Sequence, residues 1–246
     1  MKKTIIVMPV ANEENTMEQI IKEIMELPYD NLYLYNIIDS YSKDRTEQII
    51  REAEEKYAGR VKCIFFQESK GLISCYLHGF KMALLDGAEY IIEMDGGGSH
   101  SPKDLYRFID ALENGYECAF GSRFMSGGRE KDVLLYRKFL SKGGTFLSNF
   151  VLGTKLKDMT SGYEAFQRNV LLNMNLDNFL SKGHIYQTEM RFYCSDMKYI
   201  EVPITYVGGG STLKLKSVTE AIKVLFKFKK NKKNVLYSEE KSSEKY

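Results

Sequence analysis

The chain has 246 residues, 43% hydrophobic and 28% charged, with a formal net charge of +2. That length suits one large α/β domain or two small ones, and the apolar share supports a packed core and argues against disorder as the default. The balance of 35 basic against 33 acidic residues excludes a global signal for nucleic-acid binding.

Cys63, Cys75, Cys118 and Cys194 show no C-x-x-C spacing. Buried thiols in a reducing compartment are expected rather than a metal or redox site. The first apolar run is too short for a signal peptide, and no segment approaches the ~18 apolar residues of a membrane span. The expected location is cytoplasmic.

Residues 5–10 read as a strand, followed by the polar turn Asn12-Glu13-Glu14-Asn15-Thr16. A helix over 16–27 places Met17, Ile20, Ile21 and Ile24 on one face. Strand 31–38 stops at Asp39-Ser40-Tyr41-Ser42-Lys43-Asp44-Arg45-Thr46, and Thr46 opens a helix through Ile49, Ile50 and Ala53. Strand 61–66, helix 71–85 and strand 90–95 complete a βαβαβαβ alternation. This implies a mostly parallel, doubly wound sheet with right-handed crossovers. The half has the pattern of a nucleotide-binding architecture but lacks a G-x-G-x-x-G or Walker loop.

The strand at 90–95 ends in Asp95-Gly96-Gly97-Gly98-Ser99-His100, and Ser101-Pro102 starts the next helix as N-cap and first residue. Three successive glycines let a backbone come close to another group. An acid at the carboxyl end of an inner strand stands where open α/β sheets bind ligands. By local pattern alone, a strand-to-helix turn with a capping acid reads equally well.

The second half is less regular. Helix 105–113 leads to strand 117–120, then Gly121-Ser122-Arg123-Phe124 and the loop Ser126-Gly127-Gly128. A helix over 134–152 carries Arg137 and Ser141. Turns follow at 158–163 and at Ser181-Lys182-Gly183-His184, before Gln187-Thr188-Glu189 at the head of a helix. A late strand covers 198–202, and Gly208-Gly209-Gly210-Ser211 reads as a flexible loop.

From residue 214 to 233, Lys214, Lys216, Lys223, Lys227, Lys229, Lys230, Lys232 and Lys233 face a single acid, Glu220. Apolar residues recur at Val218, Ile222, Leu225, Phe226 and Phe228. Such a helix can lie on an anionic membrane surface, and the same pattern suits the solvated face of a helix docked on the domain. The expected division is a domain over 1–213, a basic amphipathic helix over 214–235 and a disordered tail over 236–246.

Read in order, Pro9-x-x-Asn12-Glu13, Asp39-x-x-Ser42-x-Asp44-x-Thr46, Lys70-Gly71 and Asp95 in Glu-Met-Asp-Gly-Gly-Gly-Ser-His resemble a family 2 glycosyltransferase of the GT-A fold. Gly121-Ser122-Arg123-Phe124, Arg137-x-x-x-Ser141, Leu152-Gly153, Asp158-x-Thr160-Ser161-Gly162-Tyr163, Gln187-x-Glu189 and Glu201-Val202-Pro203-Ile204 are similar to the dolichol- or polyprenyl-phosphate mannosyltransferase branch. The resemblance covers residues 4–215. It implies an α/β, Rossmann-like sheet flanked by helices.

It also implies inverting transfer of a hexose from a nucleoside-diphosphate sugar, GDP-mannose or UDP-glucose in type, to a polyprenyl or dolichyl phosphate. On the donor side it implies Pro9, Ala11, Glu13, Asp39, Ser40, Lys70, Asp95 and Gly97. Arg123, Arg137 and Ser141 would grip the acceptor phosphate. The catalytic set is Asp95, Arg123, Arg137 and Glu189, with His184 also inviting a catalytic reading. A Mg2+ or Mn2+ ion would be held by Asp95 with Ser99, and His100 stands as a substitute ligand or a structural group.

The sequence departs from the family pattern at Ala11, where an aromatic is usual, and at Ser40, where a second acid is usual. Gly97 replaces the second acid of Asp-x-Asp. A late arginine is missing, with Lys214 as a substitute cation beside a glycine loop that can close over the donor. Two alternatives stay open. One is a sugar or glycolipid hydroxyl acceptor, with Glu189 as base; the other is a nucleotide-sugar-binding protein without catalysis. Lacking a spanning helix, the enzyme would be peripheral at the inner face of the membrane, held through the basic tail or by a membrane-protein partner.

Overall fold

Strand β1 (Thr4–Val10) is buried at every position, as the centre of a parallel sheet covered on both faces must be. A computed structural model describes residues 2–183, 185–208 and 215–236, the last segment with its side chains from residue 222. Ile5 and Val7 of β1 enter one core, and Ile6, Met8 and Val10 the other. This is the period-2 consequence of the pleat.

From β1 the chain passes through α1 (Met17–Met25) to β2 (Leu32–Asp39), then through α2 (Thr46–Lys56) to β3 (Val61–Phe66). Helix α3 (Leu72–Leu85) returns it to β4 (Tyr90–Glu93). A 3-10 turn at Pro102–Asp104 leads into α4 (Leu105–Glu113), then β5 (Cys118–Ser122), β6 (Arg129–Lys131) and α5 (Leu135–Leu152). Next come β7 (Glu164–Gln167), α6 (Arg168–Leu172), α7 (Tyr186–Tyr193), β8 (Tyr199–Pro203), β9 (Thr205–Val207) and α8 (Leu215–Val235).

Among the described residues seven strands form one sheet in the order β3-β2-β1-β4-β7-β5-β8, and β6 pairs with β9 separately. Pairing is parallel except where β7 runs against β4 and β5. Apolar residues of α1, α2 and α4 cover one face. Those of α3, α6, α7 and α8, with the end of α5, cover the other.

The first seven elements lie within one or two residues of their expected bounds. The second half adds β6, β7 and β9, which the sequence pattern does not announce. β7 reads Glu-Ala-Phe-Gln and its Glu164 is fully buried. A buried acid at a strand start looks like a turn until its partner is known. Ser101 precedes the 3-10 turn as expected but makes no side-chain cap hydrogen bond.

The basic C-terminal helix docks on the domain: Leu225, Phe228 and Val235 join the core, and Asn231 donates to the Asn178 carbonyl at 2.8 Å. Among the described residues no helix is long and apolar enough to cross a membrane. Of the tail expected over 236–246, Leu236 forms an isolated antiparallel bridge with Met174, and residues 237–246 lie outside the described residues.

Helix α3 approaches the sheet at Gly79, where an added Cβ would stand 2.3 Å from Val7 Cγ1 and 3.0 Å from Ile37 Cγ1. Gly79→Ala therefore overpacks the interface and costs about 1–3 kcal/mol. This outweighs the ~1 kcal/mol that alanine adds to helix propensity. Thermal melts should show Tm lowered by ~5 °C; an unchanged or raised Tm would count against the packing.

Candidate active site

At β1 the connectivity reverses: β2 lies to one side and β4 to the other. The apolar sides of α1 and α3 cover opposite faces of the sheet. A crevice therefore opens beyond the carboxyl ends of β1 and β4, where such folds bind ligands.

The loop after β1 is laced to the loop after β2. The amide of Asn12 donates to Ser42 Oγ at 3.2 Å, that of Glu13 to Thr46 Oγ1 at 2.7 Å and that of Glu14 to Asp44 Oδ2 at 3.0 Å. In return the Lys43 amide donates to Asn12 Oδ1 at 2.9 Å. Asn12 takes φ 57°, in the left-handed region that asparagine tolerates better than most residues. The Ser42, Asp44 and Thr46 motif thus holds the Asn12–Glu13 turn in shape.

Pro9 is buried within β1, Ala11 and Ser40 are half-buried beyond the strand ends, and Lys70 is exposed ahead of α3. Asp39 is buried, and its Oδ1 accepts from the Tyr41 amide at 3.1 Å. That bond closes an Asx turn.

Asp95 stands just past β4 with its side chain 31% exposed. Its Oδ1 is buried without a hydrogen-bond partner. A Cβ on Gly97 would lie 3.3 Å from Glu13 Oε1. Glu13 from the β1 loop therefore fills the space that a side chain at Gly97 would take, and it supplies a carboxylate there. Burial, then the neighbouring charge of Asp95, pushes the Glu13 carboxyl up.

Among the described residues no three His, Cys, Asp or Glu side chains converge on one point. The donor set is two carboxylates. It suits a hard cation that takes its remaining oxygens from a diphosphate and water.

His100 does not join that set. The Asp95 amide donates to His100 Nδ1 at 3.3 Å, and the buried ring stacks on Tyr163 at 4.8 Å. Burial holds its pKa down. Ser99 is buried, and its carbonyl accepts from the Val207 amide at 2.9 Å. With Asp104 Oδ2, which takes the Thr205 amide at 2.7 Å, this ties β9 across the Asp95 loop. The glycine loop expected to close over the donor starts at Gly208, but its residues 209–214 lie outside the described residues, as does His184.

Two expected roles are corrected. Arg123 does not offer a free fork. It is 8% exposed, its Nε donates to Asp158 Oδ2 at 2.8 Å, and its Nη2 donates to Asp158 Oδ1 at 3.0 Å and to Thr160. Glu189 cannot serve as a solvent-reaching base. It is fully buried and accepts from the Leu180 amide at 2.9 Å, the Ser181 amide at 2.8 Å and the Tyr193 hydroxyl at 2.6 Å. Those bonds fix the 180–181 loop to α7.

Arg137 and Ser141 lie one helical turn apart on α5, both half-buried. Glu130, absent from the expected set, links this helix to Arg123: its carboxylate lies 3.8 Å from Arg123 Nη1 and 3.8 Å from Lys138 Nζ.

Also unforeseen is Arg191, two residues beyond Glu189 and fully buried. Its Nε donates to Glu164 Oε1 at 2.7 Å, Nη1 to the Asp158 carbonyl, and Nη2 to the carbonyls of Gly121 at 3.1 Å and Ser161 at 2.9 Å. The sequence signal was present, since Asp158-x-Thr160 and Gln187-x-Glu189-x-Arg191 flank the turn that these groups build.

The sheet order with its antiparallel β7 and an acid-bearing switch point defines an α/β fold of the GT-A type. The family model described as glycosyl transferase family 2 matches residues 5–174. The chain belongs to that family.

It is 32% identical over 208 residues to the polyprenol monophosphomannose synthase of Mycolicibacterium smegmatis, covering 83% of this chain and 77% of that one. It is 29% identical over 233 residues to the dolichol-phosphate mannosyltransferase of Pyrococcus furiosus, covering 93% of this chain but only 64% of that relative. Among solved structures, glucosyl-3-phosphoglycerate synthase from Mycobacterium tuberculosis, in complex with Mn2+, UDP-glucose and phosphoglyceric acid, matches with a TM-score of 0.67 at 14% identity. That match covers 96% of this chain and 82% of that one, and it is a likeness of fold.

Burial would lift the Asp158 carboxyl, but hydrogen bonds and charge from Arg123, with the charge of Arg191, bring it down to about 2 from 3.8. A lowered carboxylate pKa adds stability that is present above the unfolded value and lost as pH falls through the folded one. The window here runs from about pH 4 down through about pH 2, and the contribution is about 2 kcal/mol. Asp158→Asn should cost about 3–5 kcal/mol at neutral pH by leaving Arg123 buried without its charge partner. Its stability should then fall less steeply with acid. Urea unfolding across this range checks both points, and parallel acid limbs would contradict the pairing.

Proposed function

We propose that this enzyme transfers a hexose from a nucleoside-diphosphate sugar to a polyprenyl phosphate, with inversion at the anomeric carbon. The observation that carries the reading is a division of charge at the carboxyl edge of the sheet. Asp95 and Glu13 make an acidic donor end. Helix α5, whose charged residues are Arg137, Lys138 and Lys142 with no acid, lies on the acceptor side behind Arg123 and Glu130. The names of the two relatives, one a polyprenol monophosphomannose synthase and the other a dolichol-phosphate mannosyltransferase, support a lipid-phosphate acceptor and a mannose-type hexose. The donor falls in the GDP-mannose or UDP-glucose class.

In the proposed step an oxygen of the acceptor phosphate attacks the anomeric carbon. The bond from that carbon to the donor diphosphate breaks, and the nucleoside diphosphate leaves with the electron pair. The acceptor phosphate is already ionised near neutral pH, so no general base is needed. This agrees with the burial of Glu189 and disfavours a hydroxyl acceptor, which would require one.

Arg137 holds the acceptor phosphate by paired N–H bonds and Ser141 adds a hydroxyl donor. Arg123 is a positioning residue that fixes the 158–160 turn and, through Glu130, the first turn of α5. The Asn12–Glu13 turn and Asp39 form the nucleotide edge. A divalent cation, Mg2+ or Mn2+, supplies Lewis-acid neutralisation of the leaving diphosphate when bound. Asp95 would hold it, with Glu13 as the second carboxylate in place of the acid missing at Gly97. The proposed location is the cytoplasmic face of a membrane.

Transfer to polyprenyl phosphate and to the corresponding polyprenol, by wild type and by Arg137→Ala, tests the reading. Wild type should use the phosphate and not the alcohol. Arg137→Ala should lose at least ~30-fold in kcat/KM for the phosphate, the scale of truncating a charge-paired contact, with nucleotide affinity unchanged. Equal use of the alcohol, or undiminished transfer by the variant, would overturn the acceptor assignment.

A further inference from the structure

A helix on the surface of a globular domain normally turns its apolar stripe inward. Helix α5 reverses this over part of its circumference. Leu135, Phe139, Phe146 and Phe150 are 73%, 75%, 75% and 79% exposed. At 3.6 residues per turn they fall within an arc of about 60° and run along ~22 Å of helix. Exposed Tyr136 and Leu140 widen the patch, while Thr145, Ser148 and Leu152 on another side are the buried ones. Seven of the fourteen exposed large apolar side chains among the described residues lie between 134 and 150. A contiguous apolar patch of this kind marks an interaction site.

We infer that the outer face of α5 docks on an anionic lipid bilayer, with its phenylalanines in the acyl boundary and its lysines among the headgroup phosphates. Charge selects this occupant. The charged residues of α5 are all cations, and helical spacing puts exposed Lys142 along one border of the stripe, with Lys138 one turn before it, 3.8 Å from Glu130. Lysine stems lie along apolar surface while their ammonium groups reach outward to phosphate. Helix α8 packs on α5 and exposes Ile222 and Phe226 among exposed Lys223, Lys227, Lys229, Lys230 and Lys233. A second copy on this face would oppose lysines with lysines, whereas an anionic bilayer complements them.

Arg137 and Ser141 fall on the side of α5 turned away from the stripe, so docking brings them within about one helix diameter, ~10 Å, of the headgroups. This deepens the lipid-phosphate reading and rests on it for the identity of the acceptor. The docking face stands on the surface of α5 itself.

The test is co-sedimentation with vesicles of phosphatidylcholine alone and of phosphatidylcholine with phosphatidylglycerol. Wild type should pellet with the anionic vesicles and far less with the neutral ones. The triple variant Phe139→Gln/Phe146→Gln/Phe150→Gln should bind at least tenfold more weakly with an unchanged Tm, and Phe150→Gln alone should show a smaller loss if the triple variant fails to fold. With a short-chain, water-soluble prenyl phosphate the triple variant should match wild type, and with vesicle-embedded acceptor it should fail. Docking without transfer to either acceptor would leave this inference standing and sink the proposed function. Wild type that ignores anionic vesicles, or variants that bind them equally, would overturn the inference. So would a wild-type dimer that the substitutions convert to monomer.

Discussion

A guanidinium keeps its charge under all ordinary conditions, so burying one completely forces the surrounding chain to supply acceptors. Arg191 is such a group. Its donors reach a carboxylate on β7, the Gly121 carbonyl of β5, and two carbonyls of the 158–161 turn. Strand β7, its neighbour β5 and the turn that carries Asp158 are therefore held in one register by one side chain on α7. Asp158 in turn takes the fork of Arg123 and keeps its carboxyl ionised between two arginines. The polar centre beneath the proposed acceptor side is thus cross-linked by buried charge, and a fixed frame of that kind is what a positioned phosphate would need.

The proposed donor side is arranged differently. It rests on loops laced by side chain to backbone bonds rather than on buried charge. Gly97 removes an acid that the pattern of the family places there, yet the space is not left empty. Glu13 reaches it from the neighbouring strand loop, so the carboxylate count near Asp95 is kept with a different connectivity. Asn12 in its left-handed conformation, clamped by Lys43 and Ser42, aims that turn at the β4 loop.

The first half of the fold was legible because it is built of local signals. Apolar runs of four to seven residues, each closed by a polar turn and a helix with one apolar face, leave little choice but a parallel sheet. β7 was not legible, since Glu164 and Gln167 look solvent-facing until Arg191 and the carbonyls of Leu112 and Tyr116 are brought to them. Motif order located Asp95, Arg123, Arg137 and Glu189 but could not give their exposure. Burial turned Glu189 into an anchor for the 180–181 loop and Arg123 into a brace. The pattern of α5 carries apolar residues on two sides, and only the packed structure tells which side is buried.

We propose that the carboxyl edge of β1 and β4 is a working nucleotide-sugar site despite Gly97, with Glu13 as the second carboxylate. The most direct measurement is a thermal-shift panel of GDP, UDP, CDP and dTDP, each with and without Mn2+, on wild type and Glu13→Gln. A ligand that binds the folded state at a hundredfold its Kd adds about 2.7 kcal/mol, or ~5–10 °C for a chain of this size. One nucleotide should raise Tm, Mn2+ should enlarge the shift, and Glu13→Gln should remove the Mn2+ increment. No shift with any nucleotide, with or without Mn2+, would rule out a nucleotide site at this edge.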